Sequence, residues 1–221
     1  MSPPPKLVLA SASPRRSELL RGLGVSFERR PVNIDETPLA DEQPSDYVLR
    51  VSALKAAAGG ETARRGELVL AADTIVVLDG RLLGKPADVD DARRMILALA
   101  GRSHTVLTGV ALHDAANEAQ VADLAESRVF MRPISEDEAA WYVATGEPMD
   151  KAGSYALQGL GALFVDRIDG NPSNVIGLPL PLVYELFERL GYDLRAMVTT
   201  PGTHSSESES SSVAETPVPP G

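Results

Sequence analysis

The sequence has no cysteine, so disulfides, thiolate nucleophiles and cysteine-ligated zinc are all excluded. Histidine is almost as scarce: His104, His113 and His204 stand apart, without the spacing that metal ligands require. Positive charge is also in short supply. Lys and Arg number 21 against 31 Asp and Glu, a formal net charge of -10, which argues against an extended nucleic-acid surface and makes each arginine cluster a local feature. No apolar run approaches the length that spans a bilayer, and Met1-Ser-Pro-Pro-Pro-Lys6 lacks the apolar stretch of a signal peptide, so a cytoplasmic protein without a membrane partner is expected. What is present is a globular composition. With 221 residues, 43% of them hydrophobic, the chain can bury one α/β core or two closely packed lobes.

The segment Lys6-Leu-Val-Leu-Ala-Ser-Ala-Ser-Pro-Arg-Arg16 organises the rest. Leu7 to Ala10 suit a buried strand, and the small residues Ser11 to Ser13 let the backbone approach whatever lies beyond its end. Ser13 as N-cap and Pro14 as first helical residue predict a helix running to Gly22 or Gly24. Arg15 and Arg16 fall in its first turn, where cations oppose the macrodipole and an anion would neutralise them. The pattern reads as a phosphate pocket; two solvated arginines on a surface helix are the plainer alternative.

Val25 to Arg30 alternates as a strand, leading to Asp35-Glu36, either a turn or a carboxylate site. Ser45-Asp46 predict the cap of a helix reaching about Ala63, with Gly59-Gly60 weakening its end and Lys55 at the edge of its apolar stripe, snorkelling or meeting an anion. Glu67 to Leu78 is the most hydrophobic run, a central strand covered on both faces. Asp73-Thr74 interrupts it, and an unpaired carboxylate there is costly to bury, which singles out Asp73 as functional. Asp79-Gly80 marks a hairpin turn, and Gly80 to Lys85 fails as a P-loop because the spacing is one residue short and no Ser or Thr follows Lys85. A helix from Asp88 or Asp90, a structural hairpin over Ser103 to Phe130, and a capping box at Ser135 to Glu138 follow. Asp150 to Gly159 is glycine-punctuated and polar, a binding loop; Leu160 to Ile168 is expected as strand, and Pro181 near the start of a last helix. Residues 200–221, rich in Ser, Glu and Pro, are expected to be disordered, and residues 1–5 to be a flexible N-terminus, leaving a single domain over 6–195.

Eight separated segments occur in the order found in one family: Ser11-Ala-Ser-Pro-Arg-Arg16, Asp35-Glu36, Lys55, Ala72-Asp-Thr74, Gly84-Lys-Pro86, Gly101 to Val110, Lys151 to Gly159 and Ser173 to Pro179. Together they resemble the Maf family of nucleotide pyrophosphatases, from about Lys6 to Asp193. The resemblance implies an α/β fold of the kind shared with inosine triphosphatases: a large mixed, twisted sheet flanked by helices, in two lobes with a central cleft. It implies hydrolysis of a nucleoside triphosphate between its α and β phosphates, releasing a monophosphate and pyrophosphate. It also implies a homodimer and a divalent cation, Mg²⁺ or Mn²⁺. Arg15, Thr74 and Gln158 match the branch acting on dTTP and UTP, with modified pyrimidine nucleotides as further candidates, and would read the base. Pro172, where relatives often carry an aromatic residue, and Ala12, often glycine, depart from the pattern.

On that basis Ser11, Arg16 and Lys55, with Lys85, are expected to hold the phosphates. Asp73 is expected as general base or metal ligand, and Glu36 as its partner for the metal. A nucleotide-binding regulator of septum formation, with no need of hydrolysis, and a house-cleaning inosine-type triphosphatase are the rival readings.

Overall fold

The computed structural model describes residues 5–198. The tail expected over 200–221 lies outside the described residues, as does the expected N-terminal segment apart from Pro5. Seven strands form one mixed sheet in the order β2-β1-β3-β5-β6-β7, with β4 added to β3. These are β1 (Lys6–Leu9), β2 (Phe27–Arg29), β3 (Glu67–Leu78), β4 (Arg81–Leu83), β5 (Ser103–Asp114), β6 (Ala119–Met131) and β7 (Val165–Asp169). The helices are α1 (Pro14–Gly22), α2 (Pro44–Gly60), α3 (Val89–Leu99), α4 (Glu136–Ala144), α5 (Pro172–Ile176) and α6 (Leu180–Arg189). None of the described helices is long and apolar enough to cross a membrane.

The long strands β3, β5 and β6 carry a separate apolar core at each end, and these are the two lobes. At one end Leu7, Leu9, Leu68, Leu70 and Leu112 pack with Leu20 of α1 and with Leu186 and Phe187 of α6. At the other, Val76, Leu78, Val106 and Val129 pack with Ile96 and Leu99 of α3 and Tyr142 of α4. On the opposite face α2 covers the middle of the sheet, Val48 and Val51 against Ile75 and Leu107. Gly109 allows that approach, because a Cβ there would stand 2.2 Å from the Val48 carbonyl oxygen. Strand β3 is thus apolar at nearly every position because both its faces are covered.

Strand pairing leaves a notch. On one edge of β3, β1 pairs up to Leu70 and β4 pairs from Val76, so residues 71–75 have no strand partner on that side. The other edge is paired to β5 without a break. Asp73 and Thr74 lie at the notch, and because strand side chains alternate, they face opposite sides of the sheet.

Several local expectations change. Ser13 occupies the N-cap position of α1 but its side chain makes no cap; its N–H instead donates to Ser11 Oγ at 3.2 Å. Helix α2 begins at Pro44 after Gln43, not under a Ser45-Asp46 cap, because the fixed φ of proline suits the first helical position. It ends at Gly60 rather than near Ala63. Leu160–Phe164 is a 3₁₀ turn instead of strand, since the Leu160 and Gly161 N–H groups bond to the Glu147 carboxylate at 2.9 and 3.0 Å. Pro172 opens the short α5, capped by Asn171 accepting from Ser173 N. The capping box at Ser135 and Glu138 forms as expected.

Candidate active site

A cavity of about 650 Å³ opens at the notch, between the two lobes. That volume is within the range of small-molecule sites. Ser11, Arg15, Arg16, Glu36, Lys55, Asp73, Thr74, Lys85 and Gln158, chosen from sequence, all line it. Five cationic side chains (Arg15, Arg16, Lys55, Lys85, Lys151) face three carboxylates (Glu36, Asp73, Asp150), inside a chain that is net negative.

Strand β1 ends at Leu9, and the small residues that follow bring the start of α1 over the notch. Arg16 is consequently buried, at 9% exposure, yet it meets no carboxylate within ion-pairing distance among the described residues. Its partners are neutral: Nε donates to Gly177 O at 2.8 Å, Nη1 to Ser11 Oγ at 3.0 Å and Nη2 to Thr74 Oγ1 at 3.0 Å. Three of the guanidinium's five N–H bonds are used and two are left for a ligand. Burial pushes the Arg16 pKa down from its ordinary value, while the charges of Asp73 and Glu36 act the other way. Gly177 sits at φ 123°, a backbone conformation open to glycine, and there its carbonyl meets Arg16. The Ser11 hydroxyl accepts from Ser13 N and Arg16 Nη1, and among the described residues no acceptor takes its hydrogen.

Across the notch, Lys55 of α2 reaches both acids: Nζ lies 2.8 Å from Asp73 Oδ1 and 3.0 Å from Glu36 Oε2. Both Lys55 and Asp73 are buried, whereas Glu36 is about half exposed. Lys55 therefore does not snorkel into solvent; it spans the carboxylate pair. Asp35 and Glu36 divide the two roles between them. Asp35 accepts from Thr37 N at 2.9 Å and makes a turn, while Glu36 turns into the site. Tyr47 fastens this loop to α2 by donating to Glu36 O at 2.9 Å. Burial, reinforced by Asp73 and Glu36, pushes the Tyr47 phenol up to about 12, so it stays a donor at neutral pH.

The acids offer hard oxygen ligands, but no described cluster of three or more His, Asp or Glu could hold a metal by itself. Two carboxylates completed by substrate phosphates and water match the way Mg²⁺ is commonly held, so the donor chemistry fits such an ion once a substrate supplies the remaining oxygens.

The third wall is the loop from Asp150 to Gln158. Asp150 pairs with Arg15 at 3.5 Å, which ties the loop to the start of α1. Lys151 is held by Glu147 O at 2.9 Å and by Asp150. Exposed Lys85 and Gln158 have no hydrogen-bond or ion-pair partner among the described residues. Tyr155 backs the loop, its hydroxyl 2.8 Å from His104 Nε2. Burial lowers the His104 pKa to about 4 and raises that of Tyr155, so both are neutral near pH 7.

Sequence reasoning did not single out Tyr47, Lys151 or Tyr155, nor Thr108, whose buried hydroxyl lies 3.0 Å from Thr74 Oγ1. Lys151 and Tyr155 lay in a loop already marked as binding, and that was the available signal. Thr108 falls inside the Gly101 to Val110 segment that carries the family resemblance, though nothing marks it above its neighbours there, and Tyr47 had no signal, since it looked like an ordinary member of an apolar helix face. The hairpin expected to be structural only also contributes Val106 to the cavity wall.

A family model described as "Maf-like protein" matches residues 6–190. A dTTP/UTP pyrophosphatase from Anaeromyxobacter sp. (strain Fw109-5) is 51% identical over 192 residues, covering 86% of this chain and 91% of that protein. A second, from Anaeromyxobacter dehalogenans (strain 2CP-1), is 52% identical over 193 residues, covering 86% of this chain and 96% of that protein. Among solved structures, the Staphylococcus aureus Ham1 protein aligns over 87% of this chain and 93% of its own, with TM-score 0.44 and 11% identity.

Proposed function

The chain belongs to the Maf-like protein family, and from that premise we propose that it is a nucleoside triphosphate pyrophosphatase that hydrolyses dTTP and UTP to the monophosphate and pyrophosphate. The observation that carries this reading is Arg16: a buried guanidinium with only neutral partners, beside Asp73, in a cavity where cations outnumber acids. A buried charge without a counterion is costly, and a polyphosphate supplies one.

Arg16, Lys55 and Lys85, with the Ser11 hydroxyl and the start of α1, hold the phosphates and spread their charge as it shifts toward the leaving group. Asp73 accepts the proton of a water whose oxygen bonds to the α-phosphorus; the bond from that phosphorus to the α–β bridging oxygen breaks and its electron pair leaves with pyrophosphate. Lys55 takes one lone pair of Asp73 Oδ1, which leaves Oδ2 for that water and the second lone pair of Oδ1 for a cation. Glu36 and Asp73 present the oxygens that, with the phosphates, would hold Mg²⁺ or Mn²⁺, whose chemistry here is neutralisation of phosphate charge. Arg15, Thr74 and Gln158 read the pyrimidine, the amide of Gln158 being able to pair with a uracil or thymine imide.

The test is incubation of the purified protein with dTTP, UTP, CTP, GTP and ITP in Mg²⁺ or Mn²⁺, scored for monophosphate and pyrophosphate. Preferential release from dTTP and UTP is expected. Tight binding without turnover would favour a non-hydrolytic regulator, and preference for ITP an inosine-type triphosphatase; either result overturns the proposal.

A further inference from the structure

Thr108 lies on β5 opposite Thr74 of β3, fully buried. Three bonds follow one another there: Arg16 Nη2 to Thr74 Oγ1 at 3.0 Å, Thr74 Oγ1 to Thr108 Oγ1 at 3.0 Å, and Thr108 Oγ1 to Asn174 O at 3.1 Å. Only one assignment of hydrogens satisfies all three. The guanidinium can only donate and the Asn174 carbonyl can only accept, so Thr108 gives its hydrogen to Asn174 and Thr74 gives its own to Thr108. The competing acceptor for Thr74, Gly177 O, is farther away at 3.4 Å and already takes Arg16 Nε. The end of the chain is firmly seated, because Asn174 is fully buried and its Nδ2 donates to Val106 O at 3.1 Å and Ser127 Oγ at 2.9 Å.

The consequence concerns polarity. Thr74 lines the cavity with its hydrogen turned away, so it offers a ligand a lone pair and no donor. Uracil and thymine carry an N–H at position 3 of the ring, whereas cytosine has a bare acceptor nitrogen there. We propose that Thr108 is a specificity-determining positioning residue: by accepting the Thr74 hydrogen, it holds Thr74 as an acceptor toward the base and selects imide pyrimidines against cytosine. This inference rests on the pyrophosphatase reading and on Thr74 meeting the base.

The test uses the full-length protein and the ratio of kcat/KM for UTP to that for CTP, with dissociation constants for both nucleotides measured by calorimetry in Ca²⁺. Thr108→Val, nearly isosteric, releases the Thr74 hydrogen and should lower the UTP-to-CTP ratio by about tenfold, the value of one hydrogen bond. Thr108→Ser, which keeps the hydroxyl, should retain the ratio. In a Thr74→Val background Thr108→Val should have no further effect on it, as expected of two residues acting as one unit. A ratio unchanged in Thr108→Val, or lowered independently of Thr74, overturns the proposal; if Thr108→Val does not fold, Thr108→Ala carries the same comparison. Should the wild-type protein bind UTP but release no pyrophosphate, the catalytic reading fails and the ratio of dissociation constants still decides on Thr108. Should it bind neither nucleotide, both fail.

Discussion

Asp73 and Thr74 are consecutive in β3 and face opposite sides of the sheet, yet both line one cavity. Asp73 joins Lys55 of α2, and Thr74 joins Arg16 of α1. They share a site because β3 lacks a strand partner at residues 71–75, so the cavity reaches both faces through the notch. One dipeptide thereby links the acid-bearing wall to the arginine-bearing wall.

Replacing Asp73 by Asn keeps an acceptor near Lys55 and removes the base. Pyrophosphate release from dTTP should fall by about 10²–10⁴-fold, the usual contribution of a positioned general base. A thermal melt close to that of the wild type should accompany the loss. Activity within a few-fold of wild type would remove Asp73 from the reaction.

Gln158 is exposed at the cavity wall and has no partner among the described residues, so its substitution should leave folding untouched. Gln158→Leu should narrow the preference for UTP over CTP by about tenfold, the scale of one lost hydrogen bond, before it slows phosphate chemistry. Competition assays with paired nucleotides read this directly. An intact preference would assign base reading to other side chains.

Glu36 is half exposed and shares Lys55 with Asp73. Glu36→Gln keeps the shape and loses the charge, so the Mg²⁺ concentration needed for half-maximal rate should rise by about 10–100-fold, with a smaller change in rate at saturating metal. Titrating Mg²⁺ at fixed UTP checks it. An unchanged metal dependence would place the ion elsewhere.

His104 predicts a pH dependence of stability. In the folded protein burial lowers its pKa to about 4 from its ordinary value of about 6.5, so below pH 6.5 the unfolded chain takes up a proton that the folded chain refuses. Stability is therefore fully present above pH 6.5 and declines as pH falls toward 4, by up to about 3 kcal/mol from this group. Urea denaturation of wild type and His104→Gln at pH 7.5 and 5 should show a larger acid loss in the wild type. Parallel losses would mean that His104 is not the titrating group.

The sequence alone determined the order and kind of most elements, because their signals are local. The Glu67–Leu78 run needs no tertiary information to read as a covered central strand, and Asp79-Gly80 none to read as a turn. It also marked the charged residues of the site, since Asp73 in an apolar strand and Arg16 at a helix start are anomalies that call for a partner. Which partner each one takes was decided only by the tertiary structure. Lys55 and Asp73 stand 18 residues apart and Arg16 and Gly177 161 apart, and no local preference encodes either meeting. Strand pairing creates the notch, and neutral residues such as Thr108 carry no anomaly in sequence. A hydroxyl gains direction only when a neighbour fixes where its hydrogen must go.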